Sequence, residues 1–493
     1  MKLFDDYSRY ETRRQFFARG KNALGYAALA SLLGPARKLY GEEAGQPSAT
    51  GKPNSLLPHF PAKVKNIIYL HMVGGPSQMD LYDYKPVMGE WYDKDLPDSV
   101  RMGQRLTTMT SGQKRFPVAP SKWTFSPAGK CGYMMNAELL PFTAKCADDM
   151  AFIRSMHTEA INHEPAICAM QTGSMVSGRP CIGSWVSYGL GSLNQNLPTF
   201  VVLVAEPTNK EQIQAISARL WSSGFLSGEY AGVSFRSQGD PILFINNPPG
   251  VTGELRRRQL DSLNALNQIN YRKVGDPETH TRIQQFEMAF RMQTSVPELT
   301  NFANESEATF KLYGDEAKKP GTFAATCLLA RRLVERGTRF VQVYLNNWDH
   351  HSNVTGRLPM QCKDIDQATY ALFQDLKARG LWDSTLIIWG GEFGRTIYSQ
   401  GGLSKENYGR DHHPRCFTMW LAGGGIKGGT AIGQTDDFSY NIVENPVHVR
   451  DLHATILHLL GIRHNQFTVK WQGVNMRLTG VDAEAQVVKE ILA

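Results

Sequence analysis

The chain has 493 residues, 42% of them hydrophobic and 20% charged, a soluble globular composition that leaves little room for a disordered or membrane-embedded protein. It exceeds one average domain, although large α/β enzymes reach this length as a single core with insertions. The net charge of +7 is concentrated at the start, where residues 1–40 carry eight Lys/Arg against three acids, and the near-neutral remainder argues against a nucleic-acid partner.

The opening segment reads as an address. TRRQFFARG (12–20) sets Arg13 and Arg14 ahead of Phe16 and Phe17, and the small, apolar run ALGYAALASLLG follows. That run is too short to span a bilayer, and its basic front suits a signal peptide. Residues 1–40 therefore look like a twin-arginine signal, which hands a folded protein to the Tat export machinery and delivers it to the bacterial periplasm or cell exterior. The alternative is a basic amphipathic helix with a chance arginine pair. No clean A-x-A cleavage site is visible, so a retained signal would be the chain's one membrane tether. A solvated linker, 41–64, follows.

Six short apolar runs come next: 65–73, 150–156, 199–205, 339–345, 385–391 and 416–424. Their hydrophobicity is continuous rather than alternating, which predicts strands covered on both faces in a mainly parallel sheet. FAATCLLARRLVERG and DIDQATYALFQDLKARG predict helices feeding the strands at 339 and 385, the alternation of an α/β fold. Residues 250–318, with Leu255, Leu260, Leu263, Leu266 and Ile269, read as a helical insertion within an α/β domain spanning 65–480. The seven cysteines are dispersed, contain no C-x-x-C pair, and read as buried free thiols, with one or two disulfides the alternative after export.

In open parallel sheets ligands bind beyond the carboxyl ends of the strands, and polar residues gather there. Ser77 and Asp80 follow the first run, His157 and His163 the second, Asp349, His350 and His351 the fourth, and Glu392 the fifth. WDHH (348–351) returns as RDHH (410–413), just before the last run. Imidazole and carboxylate together suit zinc, manganese or iron, while oxygen-only sites suit calcium and magnesium. Histidines in such loops can also simply bond carbonyls. His448, His453, His458 and His464 lie at helical spacing and read as ordinary helix and loop residues.

GGPSQMDLYDYKP, LLARRLVERGTRFVQVYLNNWDHH, TLIIWGGEFGRT, GRDHHPRCFTMWLAGGGIKGG and DLHATILHLLGI together resemble the exported domain-of-unknown-function 1501 family, which is similar to sulfatases and sits with the alkaline-phosphatase superfamily. The resemblance covers nearly all of 65–465. It implies an alkaline-phosphatase/sulfatase-like sandwich, a mainly parallel sheet flanked by helices. It also implies a divalent ion, zinc or manganese ahead of calcium, held by Asp349, His351, Glu392 and His412. His413 becomes a neighbour that could bond substrate.

Two departures stand out. Val73 and Gly74 occupy the place of the ion-binding Asp-Asp of sulfatases, and His71, Ser77 and Asp80 are the candidates to compensate for that loss. His163 falls at the nucleophile position, in HEPAICAMQTG. Three readings of His163 stay open: metal ligand, nucleophile forming a phosphohistidine, or packed histidine bonding a carbonyl. Arg395 and Arg410 could hold an oxyanion or make structural salt bridges. The expectation is an exported metal-dependent hydrolase of phosphate or sulfate esters, acting on a small-molecule or glycan substrate. A non-catalytic relative binding an anion, glycan or protein is the alternative.

Overall fold

NIIYLHM, Asn66–Met72, forms strand β1, and all seven of its residues are buried. Around it lie strand β2 (Met150–His157), helix α1 (His163–Thr172), β3 (Phe200–Ala205) and β4 (Val233–Phe235). Helices α2 (Gly253–Val274), α3 (Glu278–Thr300) and α4 (Phe323–Glu335) follow, then β5 (Phe340–Leu345), α5 (Val354–Ala378) and β6 (Thr385–Gly390). The chain continues through β7 (Gly394–Gln400), β8 (Gly409–His413), β9 (Phe417–Gly423), β10 (Thr430–Ile432), β11 (Val447–His448) and α6 (Val449–Leu459). This computed structural model describes residues 57–493 apart from Ser237, Phe244, Pro277 and Ala483, within a unit spanning Ala49–Ala493. The expected signal segment, and the linker up to residue 56, lie outside the described residues.

The central sheet runs β10-β2-β9-β6-β1-β5-β3-β4, with β11 also on β2. The pairs β1–β5, β1–β6, β3–β5 and β3–β4 are parallel, and β9 alone is antiparallel to its neighbours β6 and β2. Alternate residues of one strand feed opposite faces. Ile68, Leu70 and Met72 join Val341, Val343, Ile387 and Trp389 on one side, against Leu328, Leu333, Leu372 and Leu376 of α4 and α5. Ile67 and Tyr69 join Phe340, Tyr344, Leu386 and Ile388 on the other, against Leu452, Ile456 and Leu459 of α6. The expected helix-flanked, mainly parallel sandwich is therefore present.

Thr322 caps α4 by accepting from Ala325 N, and α4 leads directly into β5. Of the five apolar residues expected to define the insertion, only Leu260 is buried; α3 instead anchors the hairpin through Met292, Val296 and Leu299. The packed chain extends past the expected end at 480: Ile491 is buried and its carbonyl accepts from Lys427 N. The seven cysteines are all free thiols, six of them buried. No described helix is long and apolar enough to cross a membrane.

Candidate metal centre

Because β1, β2, β5 and β6 run the same way, the loops that follow them share one edge of the sheet. RDHH reaches that edge as part of a strand rather than as a loop. β8 pairs antiparallel with β7, with a bulge between Arg410 and His412. It also docks on WDHH backbone to backbone: Arg410 N donates to His350 O at 3.0 Å and Val354 N to Tyr408 O at 3.0 Å. Gly409 permits this approach, since a Cβ there would overlap the carbonyl of His351. The two His-His motifs are thus in direct contact.

One histidine of each motif turns inward. His351 Nε2 lies 2.8 Å from Asp349 Oδ1, and His412 Nε2 lies 3.4 Å from the same oxygen. His163, the first residue of α1, brings its Nε2 to 3.1 Å from that oxygen, in a geometry that makes no hydrogen bond. One ligand atom from each of these four residues lies within 4.8 Å of the others, so the group could hold a metal ion. Phe393 packs beside the rings of His163 and His412, with centroids 4.9 and 4.5 Å away. The His163 and His351 side chains keep 11% and 16% exposure, which leaves the cluster reachable from solvent.

The second ring nitrogens decide what the cluster can bind. Nδ1 of His163 faces Glu392 Oε1 at 2.6 Å, Nδ1 of His351 faces Gln400 Oε1 at 2.6 Å, and Nδ1 of His412 faces Ile161 O at 2.7 Å. All three partners are acceptors, so each Nδ1 carries the hydrogen. In the neutral rings the three Nε2 lone pairs therefore converge on one carboxylate oxygen. Such a set repels unless positive charge sits among it. Three imidazole nitrogens and one carboxylate oxygen fit zinc well and calcium poorly.

The electrostatics agree in direction. Burial alone would raise the Asp349 carboxyl, but Arg395 and the three histidines hold it far below the usual carboxylate range. Burial likewise opposes ionisation of Glu392, yet His163 and His71 beside it hold it at about 2. His412 is lowered to about 4, chiefly by burial. Burial also opposes protonation of His163, but the Asp349 and Glu392 carboxylates beside it outweigh burial and raise the ring above its ordinary value.

Three expected roles change. Glu392 stands outside the four-residue group: it accepts from Gly74 N at 2.9 Å and orients His163 from behind. Arg395 is only 1% exposed and donates to the carbonyls of Gly74, Gly75 and Arg410 as well as to Asp349 Oδ1. Four of its five N–H donors are spent inside the protein, so it positions Asp349 instead of holding an anion. His413, next to His412 in extended chain, points the other way: its Nε2 donates to Tyr440 O at 2.7 Å and its ring stacks on Tyr440.

The residues considered as replacements for Asp-Asp also separate. His71 is buried with Nε2 3.5 Å from Glu392 Oε2, whereas Ser77 and Asp80 belong to a structural bridge in which Asp80 takes Arg410 at 2.7 and 3.1 Å. Gly74 has φ +120°, and a Cβ there would overlap the backbone of Trp348 and Asp349. No aspartate could replace it without displacing Asp349. His448 caps α6 and His453 donates to Met170 O, so both are the helix residues expected. Two residues carried no signal in the sequence: Gln214, whose Nε2 donates to Asp349 Oδ2 at 2.8 Å, and Gln400. Each is an isolated glutamine whose partner is distant in the chain.

Fold and site together describe a three-layer α/β protein with a His/Asp cluster at the carboxyl edge of its sheet. The chain belongs to the family described as protein of unknown function DUF1501, whose model matches residues 64–492. Among solved structures it is similar to the lipoteichoic acid synthase LtaP from Listeria monocytogenes (10% identity, 86% of this chain and 76% of that one, TM-score 0.36). It is also similar to a protein in the alkaline phosphatase superfamily from Vibrio parahaemolyticus (12%, 85% and 75%, 0.34). A third is the alkaline phosphatase from the Antarctic bacterium TAB5 (10%, 81% and 98%, 0.33). At these scores the likeness carries no argument about chemistry. No curated protein matches the chain.

Proposed function

We propose that this protein is a metal-dependent hydrolase of phosphate or sulfate esters in which water is the attacking group. The observation that carries the reading is the common tautomer of His163, His351 and His412, each offering Nε2 toward Asp349 Oδ1. A divalent ion held there, zinc ahead of manganese, would polarise an ester oxygen and lower the pKa of a bound water. Asp349 and the three imidazoles would hold it, and Glu392, Gln400 and the Ile161 carbonyl would keep the rings in register. Arg395 keeps Asp349 ionised and aimed. With Nε2 of His163 committed as a ligand, its lone pair cannot attack phosphorus or sulfur. Attack by water then makes displacement direct.

The test is elemental analysis of the purified protein, followed by turnover of phosphate monoesters, phosphate diesters and sulfate esters. One divalent ion per chain and inversion at a chiral phosphorus are expected. Retention, or an acid-labile phosphate trapped on His163, would overturn the water mechanism. A second reading, a non-catalytic binding protein, is favoured by one observation: Arg395 already supplies Asp349 with a positive partner at 2.5 Å. Normal metal content without turnover of any ester would make it the better account. We further propose that residues 1–40 direct export by the twin-arginine route, so that replacing Arg13 and Arg14 with lysine strands the folded protein in the cytoplasm; unchanged export would refute this.

A further inference from the structure

His412 also borders a cavity of about 190 Å³ outside the four-residue cluster. Thr107, His412 and His413 are buried in its wall, and Arg105 and Arg415 line it as exposed residues. Neither guanidinium has an ion-pair or hydrogen-bond partner among the described residues. The carboxylate that lines the same cavity, Glu159, is engaged by His448 Nε2 at 2.9 and 3.1 Å and does not pair with them.

These features leave a charge to be explained. Arg395, the buried arginine beside the cluster, spends its donors on the protein, so recognition of an anion has to come from other residues. Two free guanidinium forks lining one cavity suit a planar or tetrahedral oxyanion, which each can take bidentately. They share the lining of this cavity with His412, a member of the cluster, so a molecule held there can meet both arginines and the cluster's edge. We propose that the cavity admits a substrate with a second anionic group, a carboxylate, phosphate or sulfate, besides the ester presented to the metal centre. Arg105 and Arg415 are its specificity-determining clamp. The ester half of this statement rests on the hydrolase reading above; the anion contact does not.

The test compares two phosphate monoesters that differ in one charge, glycerol 3-phosphate and 3-phosphoglycerate, by calorimetry on the full chain. The unmodified protein is expected to bind 3-phosphoglycerate at least about tenfold more tightly, a difference of about 1.4 kcal/mol. The Arg105→Gln/Arg415→Gln variant should lose that preference while keeping its metal content and melting temperature, and Arg415→Lys should keep part of it. Equal affinity for the two esters in the unmodified protein, no binding of either, or a preference that survives the double substitution overturns the proposal. An arginine-dependent preference without cleavage of any ester would sink the hydrolase reading and leave the clamp standing. Ester cleavage with affinities indifferent to both arginines would do the reverse.

Discussion

Replacing Asp349 with asparagine tests the metal centre and its protein support in one step. The substitution is nearly isosteric but removes the charge on which His163, His351, His412 and Arg395 converge. Arg395 is 1% exposed and would be left with neutral acceptors alone as partners. Removing one partner of a buried ion pair costs about 3–5 kcal/mol, because the remaining charge is uncompensated. The metal-free variant should therefore melt well below the metal-free parent. Its zinc occupancy should fall from about one per chain to a small fraction, since the lost carboxylate is the atom common to the whole set. A second substitution, Arg395→Gln, should recover part of the stability and none of the metal, and that divergence separates the two roles. Thermal denaturation of chelator-treated protein, with elemental analysis after zinc reconstitution, reads both. Wild-type zinc stoichiometry in Asp349→Asn, or an unchanged melting temperature, would refute the reasoning.

Three further outcomes follow from named contacts. Glu392→Gln keeps the shape behind His163 but removes the anion that fixes its tautomer, and zinc affinity should fall about 10–100-fold in a chelator competition. Gly74→Ala forces a side chain into the backbone of Trp348 and Asp349 at a positive φ, so both melting temperature and metal content should drop together. His453 is fully buried, and burial lowers its pKa to about 4 from 6.5. Above pH 6.5 it is neutral folded or unfolded and contributes nothing; below that the unfolded chain takes the proton first, so stability falls until about pH 4, by about 3 kcal/mol in all. His453→Gln should flatten that limb of a pH-dependent denaturation series, and an unchanged slope would count against it.

The six longer strands of the central sheet were legible because each is a mainly apolar run, the pattern that burial on both faces imposes, whereas β4, β10 and β11 span only two or three residues each and were not. β8 was not, because GRDHH contains no apolar residue at all. It is buried by satisfying its polar groups one by one: Arg410 on Asp80, Asp411 on the hydroxyls of Thr107 and Thr110, His413 on Tyr440 O. Hydrophobic periodicity carries no trace of that kind of burial. Asp349, His351 and His412 were legible because Asp-His-His recurs beside strand ends and the family resemblance implies ligands there, and His163 because it falls at the nucleophile position of that resemblance. It misassigned Arg395 because the backbone carbonyls that hold its guanidinium leave no mark in side-chain chemistry. Arg105 and Arg415 were equally silent, since an unpaired arginine in a loop gains meaning only from the cavity it borders.

The place of β9 in the sheet has a consequence for how the protein comes into being. β2 carries the loop that ends in His163, yet its neighbours in the sheet are β9, β10 and β11, all more than 250 residues further along the chain. β9 is the plank between β2 and β6, and β6 is what connects to β1 and β5, whose loop holds Asp349. A nascent chain of 400 residues thus has three of the four cluster residues and no continuous sheet to join His163 to the other two. Only when Phe417–Gly423 slots between β6 and β2, the latter made long before, can His163 find Asp349. Such long-range closure is entropically slow. The His/Asp cluster is in effect a seal on late synthesis: a chain cut short before β9 lacks the strand that brings His163 to Asp349.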